Sequence, residues 1–348
     1  MIRCVRRWPG TIAGRSYGPE VAVLGILVGL VLLTVGAELV VRGGSRLAAL
    51  AGVSPLVVGL TVVAVGTSTP ELAVGIGSAR DGAGSLALGN VAGSNTVNIL
   101  LVLGLTAVLS PIAVRTRVLR IDLPVMVGAS AVLLVMCLDG HLSGVEGGVL
   151  LAAAAAYTVV VVRTSRDEDP VVADEYRAEF GVATAAAATP ERDRGRRIAA
   201  LLGVTLAGTV VIVVGAELLV RGAVDAATAL GVSDAFIGLT VVAIGTSAPE
   251  LATAVVAGLR GEQDISVGNV LGSSIYNILL VLGATVVAAP GGLDVPDGVA
   301  RFDLPVVLAV AMLCIPVLLT GRRVTRTEGW VFVVLYTAFL TVVVLTRT

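Results

Sequence analysis

Two stretches of this chain repeat one another: GLTVVAVGTSTPEL, Gly59 to Leu72, and GLTVVAIGTSAPEL, Gly238 to Leu251. They sit inside a longer gapless correspondence. Ser54 to Gly104 aligns onto Ser233 to Gly283 at a constant offset of 179, with 27 identities over 51 positions. A second block follows in each copy, GNVAGSNTVNILLVLG (Gly89 to Gly104) and GNVLGSSIYNILLVLG (Gly268 to Gly283). Each copy sets one glutamate, Glu71 or Glu250, in an otherwise apolar run. An acid in a segment destined for lipid is costly and marks a functional site. Two such acids in equivalent positions point to one site built at a repeat interface, the pattern of secondary transporters.

Composition agrees with a membrane destination. The chain is 56% hydrophobic and 14% charged, with mean hydropathy +0.98. Its apolar residues are drawn out into runs of about 20, the length a helix needs to cross a bilayer. The net charge of −1 implies no nucleic-acid partner, and all 24 basic residues are arginine. Cys4, Cys137 and Cys314 are scattered and make no metal or redox spacing. The lone His141 falls beside an expected helix end, where a surface histidine is the plain reading. Arg3, Arg6 and Arg7 precede an apolar run in the manner of a signal peptide. However, GAELVVRG at 36–43 returns as GAELLVRG at 215–222, so that run belongs to the repeated core.

Ten spans are expected, at about 21–41, 55–79, 85–109, 119–138, 143–162, 199–220, 235–258, 265–288, 303–320 and 329–346. RIDLPV (Arg120 to Val125) returns as RFDLPV (Arg301 to Val306), so each repeat holds five spans. Five is odd, and the second half therefore enters the membrane inverted. The expected fold is an all-α integral membrane protein of ten transmembrane helices in two inverted five-helix repeats. Residues 1–20 form a leader, 21–162 the first repeat, 163–198 a polar linker loop and 199–348 the second repeat. Loops after odd-numbered spans carry 16 arginines and the remaining segments 8. The positive-inside rule then puts the linker in the cytoplasm and both termini outside, in a plasma (inner) membrane.

Thr67 and Ser68 precede Glu71 by four and three residues, so on an unbroken helix all three oxygens share a face. Pro70 lacks an N–H and clashes with the carbonyl one turn back, which would open the helix around Ala64 to Gly66. Carboxylate, hydroxyls and carbonyls together are hard oxygen ligands, suited to Na+ or Ca2+. The second copy offers Thr246, Ser247 and Glu250, with Ala243 behind them. Ser94 and Asn98, and likewise Ser273 and Asn277, add neutral oxygens four residues apart. Gly89, Gly93, Gly268 and Gly272 allow close helix approach. Glu38 and Glu217 each precede an arginine by four, which reads as an interfacial ion pair with Arg42 or Arg221. Asp122 and Asp303 stand before Leu-Pro at span starts, which reads as helix capping.

GTSxPEL followed by GNVxGS and, in the next turn, NILLVLG, present twice, resembles the calcium/cation antiporter superfamily, and within it the prokaryotic sodium/calcium exchangers. The resemblance spans nearly the whole chain. It implies ten helices, an ion site formed by the second, third, seventh and eighth, and a first and sixth helix that slide against them. It implies that Glu71 and Glu250 ligate every transported ion. Thr67, Ser68, Thr246, Ser247, Ser94, Asn98, Ser273 and Asn277 would assist, with the carbonyls of Ala64 and Ala243. It further implies three Na+ exchanged for one Ca2+. Potassium-dependent relatives carry Asp where this chain has Asn277, so K+ co-transport is not expected. The expected function is Na+/Ca2+ antiport by alternating access, with Ca2+ and Na+ as substrates, the bilayer as setting, no cofactor and no protein partner. The rival readings are a Ca2+/H+ antiporter and a cation channel. An enzyme is disfavoured by the absence of a nucleophile–base pair.

Overall fold

A computed structural model of the chain describes residues 19–80, 82, 84–164, 191–230 and 243–347. Among these residues the fold is helical, apart from four strands of two residues each. The first half holds α1 (Pro19–Ala51), α2 (Pro55–Thr67), α3 (Thr69–Arg80), α4 (Leu86–Leu109), α5 (Val118–Asp139) and α6 (Gly144–Thr164). The second holds α7 (Glu191–Ala229), α8 (Ala243–Thr246), α9 (Ala248–Leu259), α10 (Gln263–Ala288), α11 (Val299–Leu319) and α12 (Arg326–Arg347).

Among the described residues, eight helices are long and apolar enough to cross a membrane, nine if the bent pair α2–α3 is one span. The seventh expected span, 235–258, is described only from Ala243 onward, as α8 and α9. The leader and most of the linker lie outside the described residues, and the first turns of α7, 191–198, fall within the segment read as linker. The expected span 55–79 does not run straight: α2 and α3 meet at 42°. Ser54 and Pro55 start α2 with an extended residue followed by a proline at the first helical position, where no N–H is needed.

The equivalent helices α1 and α7 run antiparallel. A Cβ built on Gly29 of α1 would fall 2.7 Å from the Gly215 carbonyl oxygen of α7, and one on Gly36 would fall 2.8 Å from that of Gly208. Rising numbers on one helix meet falling numbers on the other. At offset 179, Gly29 corresponds to Gly208 and Gly36 to Gly215, so the two contacts are images of each other. Only glycine lets two backbones approach this closely, the small-residue packing used by helices in lipid. A small hydrophobic core lies along this pair, including Leu33, Ala37, Val40, Ile212 and Ala216. A larger core fills the remaining helices around α4 and α10.

The loops repeat the exchange. β1 (Ile112–Ala113) pairs with β4 (Arg323–Val324), and β2 (His141–Leu142) pairs with β3 (Leu293–Asp294). β1 corresponds to β3 and β2 to β4, so each strand pair ties one repeat to the other. His141 is at the surface as expected, its Nδ1 3.1 Å from Asp294 Oδ1 across the second pair. Ser143 with Glu146, and Thr325 with Glu328, form reciprocal caps that start α6 and α12.

The capping role expected for Asp122 and Asp303 is not what the structure shows. Both have helical dihedrals and make no side-chain cap bond. A cap needs an extended residue. Here a widened, π-helical turn, Val118–Asp122 or Val299–Asp303, carries the chain straight into the next helix. Asp122 is fully buried and accepts a hydrogen bond from the Tyr157 hydroxyl at 2.9 Å. The ion pairs read from spacing are present: Glu38 with Arg42, and Glu217 with Arg221 at 2.6 Å. Glu38 also reaches Arg260, just past the C-terminal end of α9, at 2.6 Å.

Candidate ion-binding site

The two broken helices bring their breaks together. Ser68 ends the first with φ −79° and ψ 9°, and Ser247 repeats this with φ −88° and ψ 8°. Proline two residues on, Pro70 or Pro249, cannot donate to the turn behind it. Glu71 and Glu250 sit in the first turn after each break and are fully buried. The carboxylates repel one another electrostatically. Among the described residues neither forms an ion pair, and Glu71 Oε2 and Glu250 Oε2 accept no hydrogen bond. Buried charge of one sign without a partner is costly, and a cation bound between the two acids offsets that cost.

The hydroxyls of the first block cross between copies, while the serines of the second block stay with their own copy's acid. Ser68 Oγ donates to Glu250 Oε1 at 3.1 Å, and Ser94 Oγ donates to Glu71 Oε1 at 3.3 Å. Thr67 and Ser273 also face Glu250, while Ser247 faces Glu71. Thr67, Ser68 and Glu71 therefore do not act as one helical face. The break at Ser68 turns its hydroxyl to the other copy's acid, which no spacing argument within one helix contains.

Ala64 is less open than its place before the proline suggests. Its carbonyl accepts the Ser68 N–H at 3.0 Å, and the Thr67 and Ser273 hydroxyl oxygens lie 3.2 Å and 3.4 Å from it. Ala243 is the first residue of α8. Thr246 is buried.

Asn98 and Asn277 are fully buried. Each lies where its helix widens into a π-helical turn, Val97–Leu103 and Asn277–Leu282. Such turns collect at functional sites. All four amide atoms of these two side chains make no hydrogen bond among the described residues. Gly268 and Gly272 let α10 approach α2, since a Cβ on either would fall within 3 Å of the Leu56 or Leu60 carbonyl oxygen. The matching neighbours of Gly89 and Gly93 would be 235–242, outside the described residues.

One residue of the site was not singled out from sequence. Asn269, fully buried on α10, accepts from Thr67 Oγ1 at 3.0 Å and donates to the Glu250 carbonyl at 3.2 Å. Its counterpart is Asn90. Both stand in the repeated GNV that opens the second block, and that recurrence was the available signal.

The arrangement is a pair of buried acids ringed by neutral oxygens, with no His or Cys cluster for a soft metal among the described residues. Comparison with known proteins agrees with this chemistry. The family model described as sodium/calcium exchanger protein matches residues 21–163 and 200–345. The chain is 36% identical over 324 residues to the putative antiporter CaxA of Alkalimonas amylolytica, spanning 92% of this chain and 97% of that one. It is 37% identical to the inner membrane protein YrbG of Escherichia coli, over 90% of this chain and 93% of that one. It is 32% identical to the sodium/calcium exchanger MaX1 of Methanosarcina acetivorans, over 91% and 97%. Among solved structures, the sodium/calcium exchanger from Methanococcus jannaschii superposes with TM-score 0.76 at 30% identity, covering 93% of this chain and 99% of that one. With two family-matched repeats that together span most of its length, this chain belongs to the sodium/calcium exchanger family of membrane cation antiporters, within the calcium/cation antiporter superfamily.

Proposed function

We propose that the protein is a Na+/Ca2+ antiporter of the plasma membrane, built from ten helices in two inverted repeats and working by alternating access. The observation that carries this reading is the pair of fully buried glutamates with no cationic side chain between them among the described residues. Two carboxylates supply a charge of −2, which one Ca2+ neutralises. Hydroxyls of Thr67, Ser68, Ser94 and Ser273, with those of Thr246 and Ser247, complete an all-oxygen shell of the kind Ca2+ and Na+ take. Asn98 and Asn277 add amide oxygens, and Ala64 and Ala243 backbone carbonyls. Exchange follows from sharing: an ion that occupies these oxygens excludes the other, so the carrier crosses loaded with one or the other.

The helix pair α1–α7 supports the moving part. It is packed by backbone contact and along a small core that it shares with residues of α2, α9 and the start of α10, distinct from the larger core around α4 and α10. The antiparallel course of the equivalent helices α1 and α7 supports the inverted repeat, which lets the two halves trade conformations about a fixed site. The arginine balance supports a cytoplasmic 163–198 loop with both termini outside.

The test is radioactive Ca2+ uptake into proteoliposomes under an imposed Na+ gradient, with and without a pH gradient and with and without K+. Uptake is expected to follow the Na+ gradient, to ignore the pH gradient and to be unchanged by K+, because Asn277 supplies no third carboxylate. Uptake driven by the pH gradient alone would make the protein a Ca2+/H+ antiporter. Uptake with no counter-ion would make it a channel. Strong K+ stimulation would overturn the role given to Asn277.

A further inference from the structure

The two half-sites differ in conformation although their sequences match at the residues concerned. On α10, Asn269 and Ser273 together grip the first copy's motif. Thr67 Oγ1 donates to Asn269 Oδ1 at 3.0 Å, and Ser273 Oγ lies 3.4 Å from both Thr67 Oγ1 and the Ala64 carbonyl. The amide nitrogen of Asn269 donates to the Glu250 carbonyl at 3.2 Å. One side chain thus joins the first copy's hydroxyl to the backbone of the second copy's acid. Asn90 and Ser94 are the same pair on α4, at offset 179. There, Asn90 Nδ2 is buried and makes no hydrogen bond among the described residues, and Ser94 Oγ donates to the Glu71 carboxylate instead.

We propose that Asn269 and Asn90 are positioning residues of the ion site, each bridging its half-site in one access state and releasing it in the other. This rests on the exchange reading above. The residue types are identical in the two copies, so chemistry alone does not decide which asparagine is engaged; conformation does. In an inverted-repeat carrier the halves exchange conformations when access flips. The bridge now made by Asn269 then passes to Asn90, which would join Thr246 to the Glu71 carbonyl. A buried amide N–H without an acceptor is unfavourable, so the released asparagine gains a partner in the opposite state.

The bridge acts on ion binding in two ways. A hydroxyl carries one proton and two lone pairs. With its proton directed to Asn269 Oδ1, Thr67 keeps a lone pair for a cation. The amide nitrogen, through the Glu250 carbonyl, holds the turn from which the Glu250 carboxylate projects. Asn269 therefore orients ligands without being one.

The test uses proteoliposomes holding the full chain in one known orientation, with Ca2+ varied first on one face and then on the other. Asn269→Ala is expected to raise the apparent KM for Ca2+ by about tenfold at one face, with the other within about twofold, as fits the loss of one or two hydrogen bonds. Asn90→Ala is expected to give the mirror result. Loss of structure alone would lower the amount of active protein and kcat without separating the faces. If Asn269→Ala is not recovered folded, Asn269→Ser, which keeps a short hydrogen-bonding group, carries the same face-specific expectation. Equal KM changes at both faces, or none, in vesicles that still exchange Na+ for Ca2+ would overturn this assignment alone. Wild-type vesicles with no Na+-driven Ca2+ flux would overturn the exchange reading and this assignment together.

Discussion

Glu71→Gln and Glu250→Gln are each expected to lower Na+-driven Ca2+ uptake at least about a hundredfold, while the protein remains folded. Gln keeps the shape and one oxygen of Glu and removes only the charge. A unit charge about 4 Å from a cation contributes roughly 4 kcal/mol at an effective dielectric constant of about 20. A hundredfold loss corresponds to about 2.7 kcal/mol, so even a heavily offset Coulomb contribution suffices. Both acids are fully buried and repel each other. Removing one relieves that repulsion and the cost of burying charge. Each variant in ion-free detergent should therefore unfold at a temperature no lower than the wild type. This separates loss of the site from loss of the fold. Near-wild-type uptake by either variant would remove that acid from the site.

The second large effect is electrical. With three Na+ crossing for one Ca2+, each cycle moves one net charge. A potential of ~100 mV then biases the equilibrium by about 2.3 kcal/mol. That is roughly a fiftyfold shift in the attainable Ca2+ gradient. Proteoliposomes clamped with valinomycin and K+ should accumulate or expel Ca2+ according to the sign of the potential, even with equal Na+ on both sides. A cycle of two Na+ or two H+ per Ca2+ is electroneutral and would show no response. Such a result would reject the three-for-one exchange and leave the two-glutamate site standing.

Much of this site is legible in the amino-acid sequence because its cause is local. An acid in an apolar run, a proline beside it and the same fourteen-residue pattern 179 positions later are properties of the string itself. They are enough to place Glu71, Glu250 and the hydroxyls around them. What cannot be read is where each hydroxyl points. Spacing assigns Ser68 to Glu71 on a continuous helix, yet the 42° bend between α2 and α3 sends it to Glu250. The same limit applies to Asp122. Its position before Leu-Pro suits a cap, but the preceding π-helical turn keeps it helical, and α6 supplies Tyr157 as its partner. Asn269 escapes notice for a further reason. In sequence it stands between two glycines whose packing role is easier to recognise, and its hydrogen-bond partner Thr67 lies 202 residues away.

Whether Ca2+ and Na+ occupy one shared site is measured most directly by equilibrium binding of radioactive Ca2+ to the purified chain in detergent as Na+ is raised. A single Ca2+ per chain is expected, displaced completely by Na+ with a Hill coefficient greater than one, and absent from the protein carrying both Glu71→Gln and Glu250→Gln. Ca2+ that stays bound at saturating Na+, or that still binds when both acids are gone, would contradict a shared site made by these two residues.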